Sequence, residues 1–357
     1  MDKLAPLLVG AHAGSAIIAG HYAGLWATLH EHPDRKWTIP ELCDAADCKE
    51  RWVREWVGVL ASAGVLTLEE GMIVSCDSDV ATTLLPSSEV LHFFTSLEFT
   101  MDKEPEIGAC FKKGGPLGVG YNQYPNFQDW MAGWSHCRNE NQNFPEGYMK
   151  MVGDGVHEAL EKGIKVLEPG CGRGRHAMGV AKRYPNSSFT SFDIDEEAIE
   201  LNKVEAEKLG IENIDFVTGD FCNLKPEWTN NFDYVMIFDC MHDLPHPALA
   251  MKGLKGVLKD NGIVTMLDID TSTDMVAQTK KPITAVLYNI SLHHCMSVSL
   301  SSGGVGLGAC WGVELAQQML GEAGWGEGEI RVITKDIPNH AVYVMTKGKG
   351  LEGNGLH

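Results

Sequence analysis

Three stretches carry the groups best placed to do chemistry in this chain. The first is Lys165-Val166-Leu167-Glu168-Pro169-Gly170-Cys171-Gly172-Arg173-Gly174. It reads as a short buried strand, then an acid, then three alternating glycines opening a helix. Glycine admits positive φ and lets a ligand reach the backbone. A dinucleotide turn has the spacing G-x-G-x-x-G. Here the third glycine comes one position early, and Glu168 would repel a pyrophosphate. A carboxylate in that place attracts an ammonium or a sulfonium. S-adenosylmethionine carries both and has no phosphate. The second stretch, residues 188–194, carries Asp193, 23 residues after Gly170, where an acid accepts from ribose hydroxyls. The third, residues 214–221, ends in Asp220, suited to an adenine amino group, and Phe221, suited to stack on the ring.

In that order, these stretches resemble the class I S-adenosylmethionine-dependent methyltransferases. The resemblance rests on residues 166–174, on Phe192-Asp193-Ile194-Asp195, on Gly219-Asp220-Phe221, and on Phe232-Asp233-Tyr234-Val235-Met236-Ile237-Phe238-Asp239. More loosely it extends to the N-terminal region, as in small-molecule methyltransferases with an N-terminal winged-helix domain. The resemblance implies an α/β fold with a Rossmann-like, seven-stranded, mostly parallel sheet and an antiparallel last strand. It implies S-adenosylmethionine as cofactor, held by Glu168, Gly170, Gly172, Asp193, Ile194, Asp220, Phe221 and Asp239. It also implies a small-molecule acceptor, methylated on oxygen or nitrogen.

An in-line methyl transfer asks the protein to align acceptor and methyl group. An acceptor protonated at neutral pH also needs a base. His242, in Phe238-Asp239-Cys240-Met241-His242-Asp243-Leu244-Pro245, follows the fourth strand of the cofactor domain and has a suitable ordinary pKa. Asp243 or another carboxylate is placed to orient it. The His-Asp step resembles the catalytic pair of the winged-helix O-methyltransferases. Leu244-Pro245 replaces their usual tryptophan-containing run. The alternative is that Asp243 caps a helix and His242 is merely packed.

The elements around these groups follow from pattern. Residues 151–347 alternate strands and helices and form the cofactor domain, with 348–357 a Gly-rich disordered tail. Residues 91–150 read as a linker and pocket cover containing Tyr121, Tyr124, Phe127, Trp130 and Trp134. Such a stripe is most often core. The family resemblance makes Tyr121 and Tyr124 acceptor-side residues. The insertion 271–310 contains Ser291-Leu292-His293-His294-Cys295-Met296. Neighbouring residues rarely converge on one ion, so no metal is expected. The insertion reads as an acceptor wall with His293 in it, and Gly303-Gly304-Val305-Gly306-Leu307-Gly308 as a mobile lid.

Residues 1–90 read as a winged-helix and dimerisation domain. The apolar stretch 4–29 has two G-x-x-x-G pairs but is broken by Pro6, His12 and His21, so a packed helix is favoured over a membrane span. Thr38 and Glu41 make a capping box, and residues 65–75 make a hairpin wing. A homodimer is expected through the apolar helix. Arg51 and Arg54 lie on the recognition-type helix, residues 49–61, among many nearby acids. With a net charge of −19, they leave a poor footprint for nucleic acid. Ten cysteines show no C-x-x-C pair, which suits a reduced cytoplasmic protein. The competing function is a winged-helix regulator that senses S-adenosylmethionine without turnover. It would need a basic recognition helix and no base.

Overall fold

A computed structural model describes residues 2–141 and 143–351, with Glu140 and Asn141 as backbone only. Two compact units result, Met1–Glu98 and Phe99–His357.

The first unit begins with α1 (Ala5–Tyr22) and α2 (Leu25–Glu31), followed by β1 (Trp37–Thr38), α3 (Ile39–Ala46), α4 (Glu50–Ser62), β2 (Thr67–Glu69) and β3 (Ile73–Ser75). The expected capping box forms. Thr38 N donates to Glu41 Oε2 at 2.8 Å, and Glu41 N donates back to Thr38 Oγ1 at 3.4 Å. β2 and β3 form the wing, with Gly71 at φ +78° in its turn. The small residues of α1 serve close packing. A Cβ at Gly20 would come within 2.6 Å of Trp56 Nε1, which donates to Ala16 O. No helix among the described residues is long and apolar enough to cross a membrane. Arg51 pairs with Glu55 and Arg54 with Glu50 along the exposed side of α4.

In the second unit a seven-stranded sheet runs β6-β5-β4-β7-β8-β10-β9. Its strands are β4 (Lys165–Pro169), β5 (Ser188–Asp193), β6 (Ile214–Thr218), β7 (Phe232–Phe238), β8 (Leu258–Ile269), β9 (Ile330–Ile333) and β10 (His340–Thr346). β4 to β8 pair in parallel, and β10 lies antiparallel to both β8 and β9. The strand order reverses beside β4, which opens a crevice at the carboxyl ends of β4 and β7. Side chains alternate between two apolar layers. Val166, Tyr234 and Met236 enter one, while Leu167, Val235 and Ile237 enter the other.

Three expectations are corrected here. Of the expected linker 91–150, residues 91–98 belong to the first unit and 99–150 to the second, where Ile107, Val119, Tyr124 and Phe127 bury themselves together with Val298. The tail does not begin free at 348, since Leu351 is buried in the sheet's core; residues 352–357 lie outside the described residues. The Gly-rich run is no loose lid. Val305 N donates to Pro245 O and Gly308 N to His242 O, and a Cβ at Gly304 would strike Pro245 at 2.3 Å.

Candidate active site

At the end of β4 the chain turns through Gly170, Gly172 and Gly174 at φ +67°, +49° and +61°. These are left-handed conformations that side chains rarely adopt. Asp193, at the end of β5, holds the turn: its Oδ2 accepts from Gly172 N at 2.8 Å and its Oδ1 from Asp195 N at 3.0 Å. Glu168 is only 2% exposed, and its Oε2 has no hydrogen-bond partner among the described residues. Burial, with the Asp193 carboxylate adding, pushes its carboxyl up to about 8. An acid held in this way is poised to ionise against an arriving cation. Asp220 is exposed and its Oδ1 accepts from Cys222 N, while Ile194 is exposed beside Asp193.

Two of the residues expected to meet the cofactor are committed elsewhere. Phe221 is no stacking platform, because its ring packs into the core edge-on to Phe192 at 6.1 Å. Asp239 is not free for a cofactor hydroxyl. Its carboxylate pairs with Arg138 and lies 3.4 Å from His340 Nε2. Burial would raise its pKa, but the Arg138 and His340 charges outweigh it and hold the carboxyl well below the usual range. Arg138 also lies 3.0 Å from His176 Nε2. One guanidinium thus joins the helix Phe127–Asn141 to the end of β7, the helix Arg175–Arg183 and the start of β10.

Beyond Asp239 the chain passes Cys240, whose Sγ would lie 2.7 Å from a Cβ at Gly170, and reaches the short turn Met241–Asp243. The glycine crevice and His242 are therefore adjacent. His242 is buried, with Nδ1 2.8 Å from Asp268 Oδ1 at the end of β8. That oxygen also accepts from Ile269 N at 2.8 Å and Trp311 Nε1 at 3.2 Å, which fixes the carboxylate. Asp268 is the orienting acid. Asp243 instead meets the other ring nitrogen, its Oδ1 3.3 Å from Nε2, and its Oδ2 accepts from Tyr121 Oη at 3.5 Å. Burial would lower the His242 pKa, but the Asp268 and Asp243 carboxylates outweigh it and hold it well above the ordinary value.

The opposite wall is one continuous helical run, Ile283–Ile290, Ser291–Cys295 and Met296–Ser301, whose middle turn is π-helical. Such turns often mark functional sites. His293 turns back into its own helix, Nδ1 2.9 Å from Asn289 O, and its carbonyl accepts from Tyr124 Oη. The site-facing histidine is His294. It is fully buried, stacked on Phe127 at 3.4 Å and edged by Tyr121 and Tyr124 at 5.0 and 5.1 Å. Burial holds its pKa well below the ordinary value.

With this geometry in place, the chain can be set beside known proteins. Residues 160–324 match the methyltransferase domain family, and residues 11–88 match the Rv2258c-like winged HTH domain family. The two matches place a methyltransferase domain behind a winged HTH domain. Demethylmenaquinone methyltransferase of Staphylococcus aureus is 32% identical over 115 residues, 32% of this chain and 46% of that protein. The chain thus spans about half the length of the curated relatives it matches. Human N-acetylserotonin methyltransferase, solved with S-adenosylmethionine, superposes with TM-score 0.65 at 15% identity, covering 97% of both chains. An O-methyltransferase family protein of Burkholderia thailandensis gives TM-score 0.60 at 17% identity, covering 94% of both. At these identities the two structures share the fold with this chain.

Asp268, Arg138, His176 and His294 were missed from sequence. Asp268 had a signal, since Leu267-Asp268 is another strand-end acid like Asp193. Nothing in the one-dimensional pattern points to Arg138.

Proposed function

We propose that the protein transfers the methyl group of S-adenosylmethionine, in line, to an oxygen or nitrogen of a small molecule, with His242 as the base. The observation that carries this reading is the His242–Asp268 pair next to the glycine crevice. Asp268 occupies Nδ1, which leaves Nε2 directed at Asp243 and the acceptor side. Asp268 and Asp243 hold the ring toward its charged form, so it first loses its Nε2 proton to solvent; the neutral ring then takes the acceptor's proton at Nε2 as the methyl–sulfur bond breaks and the acceptor–methyl bond forms. Asp268 stabilises the resulting imidazolium. Glu168, the glycine turn, Asp193, Ile194 and Asp220 receive the cofactor. Tyr121 and Tyr124 stay on the acceptor side, Tyr121 through Asp243 and Tyr124 by edging His294, which takes the place expected of His293.

A homodimer is part of the same reading. α1 exposes Leu7, Leu8 and Val9, with Leu4 beside them, an apolar strip suited to a second copy. The ten free cysteines suit a reducing cytoplasm. The regulator alternative loses ground because the α4 arginines are paired with glutamates. Incubation with S-adenosylmethionine and fractionated metabolites, followed by mass spectrometry for the gain of one methyl, tests the activity. Absence of any methylated product, together with intact cofactor binding, would favour the regulator.

A further inference from the structure

Asp268 Oδ2 and both ring nitrogens of His294 are buried and make no hydrogen bond among the described residues, and the buried Asp243 Oδ1 lies 3.3 Å from His242 Nε2. Buried polar groups of this kind call for a partner, and an ion is one. His242, Asp243 and Cys295 each offer one ligand atom, and these atoms lie within 4.8 Å of one another. The donors come from two distant segments, the turn after β7 and the π-helical turn, so no local spacing announces them. Two carboxylates, Asp243 and Asp268, face a single imidazole here, so the pocket has room for positive charge.

We propose that His242 Nε2, Asp243 Oδ1 and Cys295 Sγ form a binding site for a divalent ion of the zinc class, and that such an ion occupies the acceptor side of His242 and blocks methyl transfer. The donor set is one nitrogen, one oxygen and one sulfur, the mixture zinc accepts in tetrahedral sites. Asp268 supplies the outer carboxylate that metal-bound histidines commonly have, and it fixes the ring so that Nε2 points inward. His294 Nδ1, 4.0 Å from Asp243 Oδ2 and otherwise unpaired, is near enough to serve as a fourth donor after a small ring movement. Sulfur and imidazole bind a metal in their deprotonated forms, so metal–sulfur and metal–nitrogen bonds form as any protons on those atoms leave to solvent. No oxidant or reductant takes part. The blocking effect rests on His242 as the acceptor-side base; the binding itself does not.

Cobalt titration of the intact, chelator-treated protein tests the site. We expect one equivalent of Co²⁺ with thiolate-to-cobalt charge-transfer absorption, removed by Zn²⁺ and absent from Cys295→Ala. Asp268→Asn should weaken uptake by about 10–100-fold while leaving the band, because it acts through His242. Calorimetry with S-adenosylmethionine on both variants reports that they are folded. Failure of the wild type to take up Co²⁺, or a band that persists in Cys295→Ala, overturns the site. If His242→Ala retains methyl transfer, the base reading fails, and the cobalt spectrum of wild type still decides the metal site.

Discussion

The two ends of the crevice are built in opposite ways. The end proposed to hold the cofactor is local: Glu168, Gly170, Gly172 and Asp193 come from two adjacent strands and the turn after the first, joined by strand pairing and by Gly172 N donating to Asp193 Oδ2. The end proposed for the acceptor is assembled from afar, with Tyr121, Phe127, His242, Asp268, His294 and Cys295 drawn from four segments. A ligand shared by a whole enzyme class can be met by a short motif. An acceptor particular to one enzyme is met by side chains that long-range packing brings together. The first end therefore tolerates almost no backbone change, and the second should be adjustable.

Substitutions can break this contrast, and the largest effect is expected at the glycine turn. Gly172→Val should abolish S-adenosylmethionine binding in calorimetry, since φ is +49° and a Cβ would sit 2.8 Å from Gln128 Oε1. Arg138→Ala should come next, because it strands the buried Asp239 carboxylate. Loss of one partner from a buried pair costs about 3–5 kcal/mol, which denaturant unfolding would register. Unchanged stability would show that the ion pair does not tie the pocket-side helix to the sheet.

A third test sharpens the contrast through pH. Glu168 must ionise to hold a cation, and burial pushes its carboxyl up to about 8. Affinity for S-adenosylmethionine should rise by up to about tenfold per pH unit below that point and level off above it. Glu168→Gln should bind more weakly and with a flatter profile. For stability the sign is reversed. An acid raised from 4.5 to about 8 by folding destabilises the folded state progressively as pH rises through that window. Cofactor-free Glu168→Gln should therefore lose less melting temperature than wild type across it. The smallest change is expected at the acceptor wall: His293→Ala, whose ring bonds only its own helix, should alter turnover less than His294→Ala.

How much was legible in the sequence follows the same division. The sheet, the glycine turn and the wing could be read because each is a local pattern: alternation, strand-end acids, a capping box. Phe221 was misread because the strand-end rule gives its place and not which way the ring turns, and Phe192 offered the deeper contact. His293 was chosen over His294 because the π-helical turn shifts which residue faces the pocket, and that turn has no residue signature. Asp239 matched the family's pattern, yet a lone arginine a hundred residues earlier claimed it.

The central claim is that His242 serves the acceptor and leaves the cofactor alone. The most direct measurement is kcat for methyl transfer by His242→Ala at neutral pH, taken with its S-adenosylmethionine affinity by calorimetry. The account predicts a fall of about 10²–10⁴-fold in kcat with cofactor affinity near that of wild type. Near-normal kcat, or a loss that appears in cofactor affinity instead, would contradict it.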